Sequence, residues 1–245
     1  MLKLSPSTLR GYLVHIYTAS TLIFVTLAAQ WILEGTYRWA LAALAVTIII
    51  DATDGALARK WRVKETAAGI DGELLDNIVD FVSYVVVPML FMLQAQMFIA
   101  PMTLWMAFAM FASVFGFSRT TAKLANEGFF VGFPSYWNIV VFYLYLLGTP
   151  PIVNTVLVVL LSLSVFVPLR FLYVSRLPKG RTLHLGLGLI WGILCLVALS
   201  MDAGTARTFV LYFSLIYPLY YTAHSLQLDL KLRQEQREAL ADELA

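Results

Sequence analysis

Four aspartates sit at the edges of long apolar runs, where charge is costly to place. Residues 51–80 read DATDGALARKWRVKETAAGIDGELLDNIVD. Asp51 follows Val46-Thr47-Ile48-Ile49-Ile50, and Asp80 precedes Phe81-Val82-Ser83-Tyr84-Val85-Val86-Val87. On a helix, residues three or four apart share a face, so Asp51 and Asp54 align, as do Asp76 and Asp80. The intervening loop turns the chain back, which lets the two pairs converge at one membrane depth. An Asp at mid-bilayer costs about 2.5–3.5 kcal/mol, so four uncompensated ones approach about 10 kcal/mol, a sum that overstates interfacial sites. Three arrangements offset that cost: an ion-pair network with Arg59 and Lys60, a proton or sodium path through a transporter, or a divalent metal site. All-oxygen donors without nearby His or Cys favour Mg2+ or Mn2+ over zinc. Four carboxylates are the right number to hold two such ions with a phosphate clamped between them.

Small residues accompany the acids. Gly55 follows Asp54, Ala58 lies three further on, and Gly72 stands four before Asp76. A residue without Cβ beside a metal cluster lets a bulky ligand approach the backbone. Arg59 closes this strip with a planar fork suited to phosphate. The same strip would also serve close helix packing, as small residues do in membranes.

The elements that must carry these residues follow from composition. Of 245 residues, 60% are hydrophobic and only 13% charged, against about half and a quarter in soluble domains. Mean hydropathy is +0.78. Disorder and a disulfide scaffold are excluded, since apolar residues dominate and Cys195 is the single cysteine. A net charge of +2 points to no nucleic-acid partner. About twenty apolar residues cross a bilayer. On that measure the chain is an all-α, polytopic membrane protein with about eight helices, over residues 12–33, 38–58, 73–97, 101–123, 134–149, 151–174, 183–201 and 204–225. The first run is too long for a signal-peptide core. Gly148-Thr149-Pro150-Pro151 separates the fifth and sixth spans as a tight hairpin. Residues 1–225 then form one transmembrane domain, followed by a short polar helix or tail over 226–245. With both termini cytoplasmic, all Lys and Arg except Arg38 and Arg207 fall on the inner side, as the positive-inside rule requires.

The string Asp51-x2-Asp54-Gly55-x2-Ala58-Arg59, then Gly72-x3-Asp76-x3-Asp80, resembles the signature of the CDP-alcohol phosphatidyltransferases. One departure is visible: twelve residues separate Arg59 from Gly72, where the family usually has about eight. Gly69 cannot substitute, because Glu73 stands four later. The longer gap resembles the bacterial phosphatidylcholine synthase branch. So do His15-Ile16-Tyr17-Thr18-Ala19-Ser20, and Asn126-Glu127-Gly128-Phe129-Phe130-Val131-Gly132-Phe133-Pro134 running on to Trp137-Asn138. The resemblance implies that Asp51, Asp54, Asp76 and Asp80 ligate Mn2+ or Mg2+, two ions in all, and that Asp80 is also the general base. It implies that Gly55, Ala58, Arg59 and Gly72 bind CDP-diacylglycerol. The implied reaction is transfer of the phosphatidyl group to choline with release of CMP, at the cytoplasmic side of a bacterial inner membrane. Membrane lipids would surround the enzyme, and many relatives pair as homodimers. The same chemistry on serine, inositol or glycerol phosphate is the nearest alternative. Transport is disfavoured, since no second half of the chain resembles residues 51–80.

Choline is a quaternary ammonium, and its usual receptor is a set of aromatic faces with a carboxylate nearby. Tyr17, Tyr84, Tyr136 and Trp137 are the candidates, with Glu127 or Asp71 as the charged partner and Asn138 as a polar neighbour. Tyr and Trp also gather at membrane interfaces without any ligand. Asp71 alternatively caps the third helix or supports the metals from outside. Lys123 and Glu127, four apart, read as a helix-surface pair. His15 reads as an interhelical hydrogen-bond donor, and Arg170 to Arg181 as a contact for anionic headgroups.

Overall fold

The computed structural model describes residues 5–119, 123–124, 128–177 and 180–243. Helices dominate them. Four are long and apolar enough to cross a membrane: Pro6–Leu33, Tyr37–Lys60, Gly72–Gln94 and Arg181–Ser200. Met102–Ser118, Trp137–Leu147 and Pro151–Ser164 are shorter and equally apolar in character. Along the outside of the Arg181–Ser200 helix, Leu183, Leu185, Leu189, Ile190 and Ile193 are exposed. A continuous apolar face of that kind needs a non-aqueous neighbour, which for a polytopic membrane protein is lipid.

The chain forms two compact units. The first comprises Met1–Met110, Tyr136–Tyr145 and Thr149–Thr155. Its opening apolar stretch is two helices, α1 (Pro6–Ala19) and α2 (Thr21–Leu33), meeting at Ser20. Next come α3 (Tyr37–Lys60), a single turn α4 (Val63–Thr66) and α5 (Gly72–Asp80). A π-helical turn over Phe81–Val86 joins α5 to α6 (Val87–Gln94). Packing orders them: α2 lies along α3, and α1 touches α3, α4 and α5. Beneath the α1–α4 contact, Val14, Val63 and Ala67 form a small core, with Tyr12, Leu57, Ala58 and Trp61 against it. A Cβ added at Gly11 would meet Thr66 Oγ1 at 2.7 Å and Ala67 Cβ at 2.8 Å, so only glycine lets α1 and α4 meet this closely.

The second unit comprises Phe111–Ser135, Leu146–Gly148 and Val156–Ala245. The helices α7 (Met102–Ser118), α8 (Trp137–Leu147) and α9 (Pro151–Ser164) stop short of the expected spans 101–123, 134–149 and 151–174. Between and after them lie three antiparallel strands, β1 (Lys123–Leu124), β2 (Phe129–Val131) and β3 (Arg170–Leu172). Gly128 and Gly132, on either side of β2, take φ of +77° and +85°, a left-handed backbone that glycine adopts at little cost. Since α7 ends at Ser118 and Lys123 lies in β1, Lys123 is a strand residue and not half of a helix-surface pair. After α10 (Arg181–Ser200) and α11 (Thr205–Ser214), α12 runs unbroken from Ile216 to Glu243.

That last helix docks on the sheet. Tyr221 donates to the Leu172 carbonyl at 2.7 Å, and the Leu172 N–H donates to Ser225 Oγ at 3.1 Å. Leu228 and Leu232 cover Phe129, Leu172 and Leu177. Buried Asp229 faces Arg233 at 2.8 Å and Arg170 at 4.0 Å. Arg170, expected to meet headgroups, thus leans on a carboxylate of its own chain.

Candidate functional site

The site is built in the first unit by the ends of two helices. At its C-terminal end α3 carries Arg59 and Lys60 in the last turn, where cations offset the exposed carbonyls of the helix dipole. Helix α5 starts where Asp71 caps it, accepting from the N–H groups of Glu73 and Leu74 at 3.0 Å each. Asp71 thus acts as the N-cap of α5. With both helices anchored, Asp51 of α3 and Asp76 and Asp80 of α5 bring one oxygen each within 4.8 Å of the others.

Three half-buried carboxylates at that spacing repel strongly. At an effective dielectric near 20, each ionised pair costs about 3 kcal/mol or more. The donor set is all oxygen, which fits a hard divalent cation. Asp54 is not among the three that meet within 4.8 Å. It is 6% exposed, and its Oδ2 accepts from Thr18 of α1 at 2.7 Å. One residue earlier on each helix, the Tyr17 and Thr53 hydroxyls bond at 2.8 Å. Helix α1 thereby fixes the acidic face of α3.

Each small residue of the spaced motif has a definite neighbour. A Cβ on Gly55 would stand 3.3 Å from a guanidinium nitrogen of Arg59, so the arginine folds back over the glycine one turn earlier. Ala58 packs on the α1–α4 core. Gly72 meets His15: a Cβ there would fall 2.9 Å from Cε1 and 3.4 Å from Nδ1. His15 is buried and stands edge-on to Tyr12, with ring centres 6.5 Å apart. Its Nε2 has no hydrogen-bond partner among the described residues, contrary to the expected interhelical donor. Beyond Lys60, a cavity of about 280 Å3 is lined by Ser7, Arg10, Lys60, Trp61, Arg62 and Thr66.

The aromatic candidates divide. Tyr84 donates to Asp51 Oδ2 at 2.7 Å, and its ring tilts against Tyr136 with centres 5.8 Å apart. Tyr17 and Tyr136 are half-buried, whereas Trp137 is fully enclosed. Asn138 is buried; its Oδ1 accepts the Ile139 N–H at 2.9 Å, and its Nδ2 has no partner among the described residues. Glu127 lies outside the described residues. Sequence reasoning missed Thr18, whose only signal is a hydroxyl in the stretch His15 to Ser20. It also missed that Tyr84 reaches an acid and not only another ring.

Residues 12–167 match the family model described as CDP-alcohol phosphatidyltransferase. A protein of Legionella pneumophila named phosphatidylcholine synthase is 42% identical over 182 residues, 70% of this chain and 69% of its own. One of the same name from Borreliella burgdorferi is 32% identical over 230 residues, 91% of this chain and 96% of its own. A third, from Rhizobium meliloti, is 33% identical over 201 residues, 80% and 82% of the two chains.

Proposed function

The chain belongs to the CDP-alcohol phosphatidyltransferase family, and from that premise we propose that it transfers the phosphatidyl group of CDP-diacylglycerol to choline, releasing CMP. The observation that carries this reading is the convergence of Asp51, Asp76 and Asp80 within 4.8 Å, at the spacing of the family motif and in helices long enough to span a membrane. Relatives named phosphatidylcholine synthase over most of the chain support choline as the acceptor.

In this reading Asp51, Asp76 and Asp80 would hold Mn2+ or Mg2+, with Asp54 as the fourth carboxylate of the set and two ions bound in all. The bound metal supplies Lewis acidity, neutralising the pyrophosphate and the charge that builds on departing CMP. The remaining work falls to the protein. Gly55, bare of Cβ, and Arg59, folded over it, receive the CDP portion, aided by Ala58 and Gly72. The acyl chains stay in lipid. The choline hydroxyl attacks the lipid-bearing phosphorus, the bond from that phosphorus to the oxygen of CMP breaks, and Asp80 accepts the hydroxyl proton. Tyr17 and Tyr136, the candidate rings that keep some surface, would offer faces to the trimethylammonium. Asn138, whose Nδ2 has no partner among the described residues, lies two residues after Tyr136. The enzyme would sit in a bacterial inner membrane with both termini and the site cytoplasmic, since the loop from Arg59 to Lys64 carries four cations.

The deciding experiment supplies purified protein with CDP-diacylglycerol, Mn2+ and labelled choline, serine, inositol or glycerol phosphate in separate reactions. Phosphatidylcholine and CMP in equal amounts, from choline alone, is the expected result. Turnover with another acceptor and none with choline would reject the assignment.

A further inference from the structure

The π-helical turn Phe81–Val86 begins directly after Asp80. Turns of this type take one extra residue, occur mostly as single insertions, and recur at functional sites. One residue of an α-helix corresponds to about 100° of rotation, so the insertion re-aims every side chain that follows Asp80. Tyr84 lies inside this turn and reaches across to α3. Its hydroxyl donates to Asp51 Oδ2 at 2.7 Å, and Asp51 is one of the three clustered acids. Tyr84 is only 6% exposed, with its ring lodged against Tyr136. A ring so enclosed offers no open face to an ammonium group, whereas its hydroxyl is fully engaged with a carboxylate of the site.

We infer that Tyr84 is the positioning residue of the acidic cluster: its hydroxyl, aimed by the π-turn, holds the Asp51 carboxylate toward Asp76 and Asp80 so that the set is assembled before a divalent cation arrives. This rests on the reading of those three acids as the metal site. Carboxylates in such sites are commonly oriented by a partner just outside the ligand set, and loss of that partner costs about 10–100-fold in metal affinity or activity.

The test uses the full-length purified protein and Mn2+ alone, with bound metal read from the loss of the free-ion paramagnetic resonance signal. Asp51→Asn serves as the control for the site itself, and Tyr84→Phe keeps the ring and its Tyr136 contact. Thermal melting in detergent verifies that each variant is folded. Tyr84→Phe is expected to weaken Mn2+ binding about 10–100-fold, with the Mn2+ needed for half-maximal turnover rising in step and the KM for choline within twofold of the parent. Mn2+ affinity equal to the parent overturns the inference, as does a raised choline KM with metal binding intact. If the parent and Asp51→Asn bind Mn2+ alike, the metal reading fails instead, and the two failures are told apart without turnover.

Discussion

Replacing Gly72 with alanine tests how the site is supported. The added Cβ would stand 2.9 Å from His15 Cε1 and 3.4 Å from Nδ1, whereas carbon atoms in contact settle at about 3.5–4.0 Å. Something must therefore move by about 0.6–1 Å. The imidazole has little room, being 6% exposed and packed beside Tyr12, so α5 is pushed away from α1. Overpacking of this type costs about 1–3 kcal/mol. Asp76 lies four residues along the same helix, about 6 Å from Gly72, and so travels with it. Misplacement near 1 Å costs about 100-fold in rate when reacting groups must align. CMP release by Gly72→Ala should accordingly fall about 10–100-fold. The mechanism is isolated by His15→Ala, which removes the obstructing ring. In that background the Gly72→Ala penalty should shrink to less than threefold, whatever His15→Ala costs alone. The same penalty in both backgrounds would refute the steric account, as would full activity of the single variant.

The other predictions are simpler. Asp80→Asn should lower CMP release by about 100–10,000-fold, the worth of a general base, with an unchanged gel-filtration profile in detergent; near-normal turnover removes Asp80 from that role. Thr18→Val removes a buried hydrogen bond to the Asp54 carboxylate and should destabilise the protein by about 1–3 kcal/mol in a thermal melt, while Thr18→Ser should melt like the parent. Chelation should abolish turnover, and Mn2+ or Mg2+ should restore it while Zn2+ does not, because the donors are all oxygen.

Much of this architecture is written in local composition. Tyr37–Lys60 and Arg181–Ser200 are legible because apolar residues run uninterrupted for the width of a bilayer. The acidic site is legible because fixed helical spacing makes Asp76 and Asp80 neighbours before any tertiary contact is known. Other features leave no such trace. Phe129-Phe130-Val131 is as apolar as a span, yet pairs with Arg170–Leu172 as a strand; only the flanking Gly128 and Gly132 hint at the departure. The meeting of α1 and α2 at Ser20 falls within a run whose composition carries on unchanged. A π-turn has no composition of its own, so the aim of Tyr84 is invisible until the helix is built. His15 illustrates a further limit: whether a buried imidazole is satisfied depends on the residues facing it, and those are set by packing across helices.

The long connection from Arg59 to Gly72 can now be seen as a brace. Its single turn α4 clamps the first helix at Gly11, and that helix in turn supplies Thr18 to Asp54 and His15 to Gly72. Loop length and the geometry of the acidic cluster are thus mechanically linked, although the loop contributes no acid to that cluster. Shortening the connection in this chain would withdraw α4 from Gly11 and slacken the acidic cluster from the side of the first helix.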